Sequence, residues 1–292
     1  MRILVTGAQG QLGSELKELL SLDKDKDCFF LDRKQLPLDH IMHIQDMLAM
    51  YEPDIIIHAA AYTAVDKAET ETEMANIVNH LASEEIAQYC RLHGAKLIAI
   101  STDYVFDGNS DIPLTEEAET APISAYGKSK LLGELAIQKW APDSIIIRTA
   151  WVYSTYGNNF VKTMLRLMNE RDEISVVDDQ IGAPTYARDL AQAIVTIIDS
   201  GKWEAGIYHY SNAGRLSWYD FAVAIREFGQ QDCKINPIPT SAYPTPAKRP
   251  KYSLLDKTKI QQVYAVNVPE WSDSLRQMLS ALQVEPYKQN KK

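Results

Sequence analysis

The chain opens with a strand that runs straight into a glycine loop and then a helix, and few folds accept that order. MRILVTG reads as a short buried strand, Gly7-Ala-Gln-Gly10-Gln-Leu-Gly13 as the loop, and SELKELLSL as the helix beyond it. Small residues let a backbone approach a pyrophosphate, whose charge is met by the unpaired amides of a helix N-terminus. This is the context that a dinucleotide fingerprint requires, although the middle glycine is offset by one place from the G-x-G-x-x-G form. A purely structural glycine turn is the plainer alternative. A second strand, CFFLD, ends at Asp32, nineteen residues past Gly13, where a carboxylate suits an adenosine ribose. Arg33 and Lys34 follow at once. The acid favours NADH and the bases favour the extra phosphate of NADPH, so the nicotinamide stays open.

Further along, β-rich runs alternate with helical ones: DIIIHAAA, KLIAIST, SIIIRTAW, then ISVV and GIYHYSN. The alternation predicts an α/β fold, a doubly wound, Rossmann-like parallel sheet. A nucleotide-binding part over 1–150 is expected, followed by a smaller mixed α/β substrate-binding part over 151–286. Segments around 174–212 are expected to return to the sheet, and 287–292 to form a frayed tail. MANIVNHLASEEIAQYCRLHG has helical spacing and should stop at Gly94. The proline-dense NPIPTSAYPTPAKRP reads as a long irregular connection on the surface or over a pocket.

At 292 residues the chain can bury a substantial core. A formal charge of -9 argues against nonspecific binding to nucleic acid or anionic membranes. Cys28, Cys90 and Cys233 are few, odd in number and widely spaced, as in a reduced, cytoplasmic protein. Neither a membrane-length apolar run nor a signal-peptide core is expected.

Ligands of open α/β sheets bind beyond the carboxyl ends of the strands. The third strand delivers Ala59, Ala60, Ala61, Tyr62 and Thr63, and the fourth Ser101, Thr102, Asp103 and Tyr104. A fifth strand is expected ahead of the ISAYGKSKLLGE helix, and a sixth ending in Arg148-Thr-Ala-Trp151. In that helix Tyr126 and Lys130 are four apart and share a face. A neighbouring ammonium favours the phenolate, so the pair is a candidate acid/base device. Ser101 and Thr102 as turn caps, and Trp151 as core filling, are the bland readings of those residues.

The runs HAAAYTAVDKAE, STDYVFDG, YGKSKLLGE, RTAWVYSTYGNNFVKTM, DQIGAPT and RPKYS, with the glycine loop, resemble the dTDP-4-dehydrorhamnose reductases, a branch of the extended short-chain dehydrogenase/reductase superfamily. The resemblance covers residue 1 to about 255. It implies hydride transfer from NADPH or NADH to C4 of dTDP-4-dehydro-L-rhamnose, the last step toward dTDP-L-rhamnose for cell-surface polysaccharide. It makes Tyr126 the proton donor, Lys130 its partner and a ligand of the nicotinamide ribose, and Thr102 the group that orients the ketone. Asp103, Tyr104 and Trp151 would meet the sugar, and Asn159 and Arg249 the diphosphate. Gly7, Gly10, Gln11 and Leu12 would lie on the pyrophosphate, Asp32 and Arg33 at the adenosine ribose, Asp39 and His40 at the adenine. Ala61, Tyr62 and Thr63 would run along the cofactor. His40 as a metal ligand lacks a second histidine at ligand spacing.

Some relatives hold Mg²⁺ at a dimer interface through carboxylates. Glu15 stands at the matching place, but TYARDLAQA offers Asp189 one place before the glutamate that the pattern calls for. That departure weighs against a metal bridge and leaves monomer and homodimer both open, with a nucleotide sugar as the small-molecule partner. The competing functions are an epimerase or another 4-keto-sugar reductase on the same scaffold. A noncatalytic dinucleotide-binding subunit, resembling the regulatory subunit of methionine adenosyltransferase, is a third.

Overall fold

A computed structural model describes residues 1–284. Six parallel strands make the main sheet: β1 (Arg2–Thr6), β2 (Asp27–Leu31), β3 (Ile55–His58), β4 (Lys96–Thr102), β5 (Ile145–Thr149) and, after the strand β6 (Glu173–Val177), β7 (Gly206–His209). Their spatial order is β2-β1-β3-β4-β5-β7, with every neighbouring pair parallel. The strands read as unbroken apolar runs because helices cover both faces. Successive side chains then go to opposite cores. Ile3, Val5, Ile57, Ile145 and Ile147 pack on one side with Leu16 of α1 (Gln11–Leu20) and with Leu190 and Ile194 of the helix Ala187–Asp199. Leu4, Ile56, Leu97 and Ile146 pack on the other with Ile44 and Leu48 of α2 (Ile44–Ala49), Ile86 of α3 (Ala82–His93) and Ile137 of α4 (Ala125–Trp140).

The chain passes from β4 to α4 through a stretch that starts with a 3-10 turn, Asp103–Val105. The Tyr126 helix therefore follows the fourth strand, and the Arg148 strand is the fifth, one earlier than the sequence suggests. The helix ending at Gly94 terminates there in a left-handed conformation, φ 71°. Within its first half, Ile77–Leu81 forms a π turn that the periodicity did not announce.

Within 174–212, β7 lies in the main sheet and the helix Ala187–Asp199 covers it, whereas β6 does not join. It pairs instead, in parallel, with Lys234–Ile238, which takes in the first residues of the proline-rich run read from the sequence as a long irregular connection. Those two strands pack with the helices Phe160–Glu170, Trp218–Phe228 and Trp271–Val284 around Tyr153, Phe221, Ile225 and Met278, a separate core beside the sheet's carboxyl edge. The tail expected over 287–292 lies outside the described residues. Among those described, no helix is long and apolar enough to cross a membrane.

Two glycines of the first loop are fixed by space. Gly7 has φ +73°, and a Cβ there would lie 2.8 Å from Ala60 Cα. A Cβ on Gly13 would lie 2.2 Å from the Gly7 carbonyl oxygen, both being backbone with nowhere to yield. Gly13→Ala is therefore expected to cost about 1–3 kcal/mol of stability, the usual cost of overpacking. Urea unfolding measures it, and a loss under about 0.5 kcal/mol would contradict the tight α1 contact.

Candidate active site

The sheet's carboxyl edge and the loops above it enclose a cavity of about 980 Å³. One end is the glycine loop. Gly10 caps α1 without a side-chain hydrogen bond, which leaves the first-turn amides free to face an anion. Gly7, Gly10, Gln11, Leu12, Asp32, Arg33 and Asp39 line this end. Gln9 donates to Asp32 at 2.6 Å, and Arg33, 81 % exposed, pairs with Asp39 at 3.2 Å. His40 is exposed and does not border the cavity; it precedes the 3-10 turn Ile41–His43.

Ala61, Tyr62 and Thr63 line the middle. Their backbone is held by the π turn: Asn79 accepts from the Tyr62 amide at 2.8 Å and donates to the Tyr62 carbonyl at 3.1 Å. The same side-chain amide donates to Ser129 Oγ on α4 at 3.0 Å, and Ser129 donates to the Tyr126 carbonyl at 2.8 Å. An extra residue in that helix thus places Asn79 between the cofactor-facing loop and the Tyr126 helix. Glu71, which accepts from the Tyr62 hydroxyl at 2.6 Å, was not singled out from the sequence.

At the far end stand Thr102, Asp103, Tyr104, Tyr126, Lys130 and Trp151. Ser124 caps α4 through the Gly127 amide at 3.1 Å, which places Tyr126 in the first turn. Lys130 does not hydrogen-bond Tyr126: its Nζ donates to the Ile100 carbonyl at 2.8 Å. Burial pulls Lys130 down to about 8, with Glu134 opposing, and pushes the Tyr126 phenol up to about 12. Thr102 hydrogen-bonds that phenol and offsets part of the rise, while Asp103 adds to it. The expected pull of Tyr126 toward neutrality is thus reversed, because desolvation of the phenolate sets the direction and the ammonium is turned to the Ile100 carbonyl. The phenol is consequently protonated throughout the neutral range.

Burial also lifts Asp103 to about 6, with the hydroxyls of Ser253 and Thr102 opposing. One of its oxygens accepts from Thr102 Oγ1 at 3.0 Å, while the other is buried without a hydrogen-bond partner, as is Ser101 Oγ. Both atoms are enclosed behind the cavity wall, where an unpaired polar group is costly. Trp151 adopts φ +48°, strained for a bulky residue, and stacks on Trp218 at 3.7 Å between centroids. The stack pins an indole against the cavity; Trp218 lies far along the chain and carried no signal in the sequence.

Asn159 and Arg249 are placed differently from the expectation. Asn159 caps the helix Phe160–Glu170 and donates to Ser154 O at 2.7 Å and Gln11 Oε1 at 3.0 Å, so its amide is occupied, and it is Asn158 that borders the cavity. Arg249 also lies off the cavity lining and grips Asp66 through contacts of 2.8 and 3.1 Å. Asp66 also takes the Ala247 amide at 3.2 Å, tying the proline-rich connection to the helix Val65–Ala68. The partner was visible in the VDKAE run, but nothing in the sequence joined it to residue 249.

The glycine cradle, the free amides and the volume of the cavity fit a dinucleotide. Glu15 and Asp189 do not fit a shared divalent cation. Glu15 is met by Ser154 at 2.6 Å and by Arg188 at 3.4 Å, and Asp189 by Ser274 and Asn212 at 2.5 and 2.7 Å.

The sequence matches the RmlD substrate binding domain family over residues 1–284. The chain belongs to this family. It is 41 % identical to the dTDP-4-dehydrorhamnose reductase of Escherichia coli K12, over 97 % of this chain and 98 % of that one. A crystal structure of a dTDP-4-dehydrorhamnose reductase from Clostridium acetobutylicum superposes with a TM-score of 0.93 at 40 % identity, covering 97 % and 100 % of the two chains. One from Bacillus anthracis, in complex with NADP, gives 0.91 at 40 % identity, with 96 % and 99 % covered. In this family member the polar groups of the far end lie at the end of β4, on the turn after it and on α4, opposite the glycine loop.

Asp103 gives a stability signature. Its folded value is raised above the ordinary carboxyl value of 3.8, so it costs stability above pH 6 and the cost fades as pH falls toward 4. Asp103→Asn is expected to stabilise by up to about 3 kcal/mol at pH 7, with the gain gone near pH 4. Denaturant melts across pH measure it; a pH-independent difference would refute the buried, half-paired carboxylate.

Proposed function

We propose that this protein reduces the C4 ketone of dTDP-4-dehydro-L-rhamnose to dTDP-L-rhamnose, with a nicotinamide dinucleotide as hydride donor. The observation that carries this reading is one cavity with a dinucleotide cradle at one end and Thr102, Tyr126 and Lys130 at the other, in a chain similar over 97 % of its length to an enzyme of that name. NADPH or NADH supplies the hydride when bound. NADP in the Bacillus anthracis relative and the exposed Arg33 support the phosphorylated form, and Asp32 suits the other.

The residues then act in a defined order. Thr102 and Tyr126 hydrogen-bond the ketone oxygen and orient it. As hydride reaches C4, negative charge grows on that oxygen, and the O–H bond of Tyr126 breaks to deliver the proton, giving the alcohol. A phenol held near 12 is fully protonated at neutral pH, the form this direction needs. The buried Lys130 cation stabilises the phenolate that remains until solvent returns its proton. Asp103 and the Tyr104 hydroxyl, which border the cavity, suit sugar hydroxyls, and the Trp151 indole suits the face of a deoxysugar. Arg249, released from Asp66, suits the diphosphate, and Asn159 acts by holding Gln11.

Tyr126→Phe removes one oxygen and should lower turnover by at least ~10²-fold while leaving nicotinamide binding intact. The assay follows loss of reduced nicotinamide with sugar made in the same tube from dTDP-glucose. Near-normal turnover would overturn the role of Tyr126. Consumption of no reduced nicotinamide with this sugar, by a protein that binds the cofactor, would overturn the reductase reading itself.

A further inference from the structure

Glu134 stands one helical turn after Lys130 on α4 and is 3 % exposed. It accepts from Arg148 of β5 three times, Nε to Oε1 at 2.9 Å, Nε to Oε2 at 3.2 Å and Nη2 to Oε2 at 2.7 Å. Arg148 is 2 % exposed, and its guanidinium lies 5.1 Å from the centroid of the Phe106 ring. Lys130, 5 % exposed, borders the same cavity of about 10 Å³ as Glu134, together with His58, Asn79, Ser83 and Ser101. Three charged side chains are therefore buried side by side, directly behind the acid/base end of the site.

We propose that Glu134 and Arg148 form a positioning unit for Lys130: Glu134 is the counter-charge that keeps the buried ammonium protonated during turnover, and Arg148 fixes where that carboxylate sits. The proposal rests on the reading of Lys130 as a working cation of the reductase.

A lone ammonium in the interior sheds its proton rather than stay charged, and the Nζ–Ile100 bond is a single neutral contact. Residues four apart on a helix share a face, and Glu134, although not in contact with the ammonium, borders the same small cavity and acts on Lys130 through its field. The other groups around Lys130 do not serve. His58, on β3, is held neutral at about 3 by burial and by the Lys130 cation, and its ring nitrogens are engaged by Thr6 at 2.9 Å and Ser83 at 3.2 Å. On β7, His209 is held neutral at about 3 by burial, with the Arg148 cation adding to the effect. From the turn after β4, Asp103 acts on Tyr126, and the Tyr104 ring packs edge-on against it. Arg148, from β5, is engaged by Glu134. Ion pairs kept only for stability are replaceable by apolar residues of similar volume, and what marks this one is its place beside Lys130.

Because Lys130 works as a cation, activity should fall as pH rises through about 8. The test compares wild type with Glu134→Gln and with the double variant Glu134→Gln/Arg148→Met, which removes both charges and keeps the fold if the single change leaves Arg148 stranded. Two quantities are read on folded protein: the alkaline limb of kcat/KM against pH, and the titration of the Lys130 side chain by ¹³Cε NMR, assigned by its loss in Lys130→Met. Both should move down together by about one pH unit in Glu134→Gln, a tenfold loss of activity on the alkaline side, and by less in the double variant, where loss of the repelling guanidinium offsets part of the loss of the carboxylate. An unmoved Lys130 titration in Glu134→Gln, or one that moves further down in the double variant than in the single, would overturn the pairing, and a moved titration with an unmoved limb would overturn its part in turnover. Absence of sugar reduction by wild type would remove the reductase reading alone, since the titration does not depend on substrate.

Discussion

The glycine loop lies against the end of β3 with no room for a side chain between the two backbones, and the cavity depends on that contact. It sets the depth at which α1 begins, and so the height of its free amides above the sheet. Everything else in the site is measured from there: the alanines after β3 continue the same floor, and α4 brings Tyr126 and Lys130 to its far end. A parallel sheet with both faces covered makes this arrangement stiff, since shifting one strand would disturb two cores at once.

The far end of the cavity is unfavourable to build. An ammonium, two carboxylates and a guanidinium are buried there, one carboxylate oxygen and one guanidinium nitrogen have no partner, and Trp151 holds an unfavourable backbone. Groups that would lower the energy of the empty fold if replaced are concentrated where charge must develop during reaction. Preorganised polarity of this kind is held in place by the rest of the chain, and the second core of aromatic residues beneath Trp151 is part of that support.

Much of this was legible in the sequence, and the reason is local. Strands buried on both faces, the loop glycines and the residues at strand ends are encoded in short runs, so the sheet and most of the cavity lining could be read directly. What escaped depends on contacts between distant segments. Asp66 and Arg249 are 183 apart in sequence. Asn159 has the right chemistry for a phosphate but is consumed by a helix cap, and ISVV has the right composition for the main sheet but finds its partner at Lys234–Ile238. The sign of the Tyr126 shift was missed because spacing gives proximity and not burial, and burial is the larger effect here.

The π turn at Ile77–Leu81 has a bearing on how such a chain can change. It holds one residue more than an α-helix of the same length, and that residue is what turns Asn79 toward both Tyr62 and Ser129. Loss of a single residue there would let the segment close into a regular helix with the turns on either side left in place, and would withdraw the extra residue that presents Asn79 to its two partners. A change of length at this point would therefore spare the packing of the helix and sever the link between the Tyr62 loop and the Tyr126 helix.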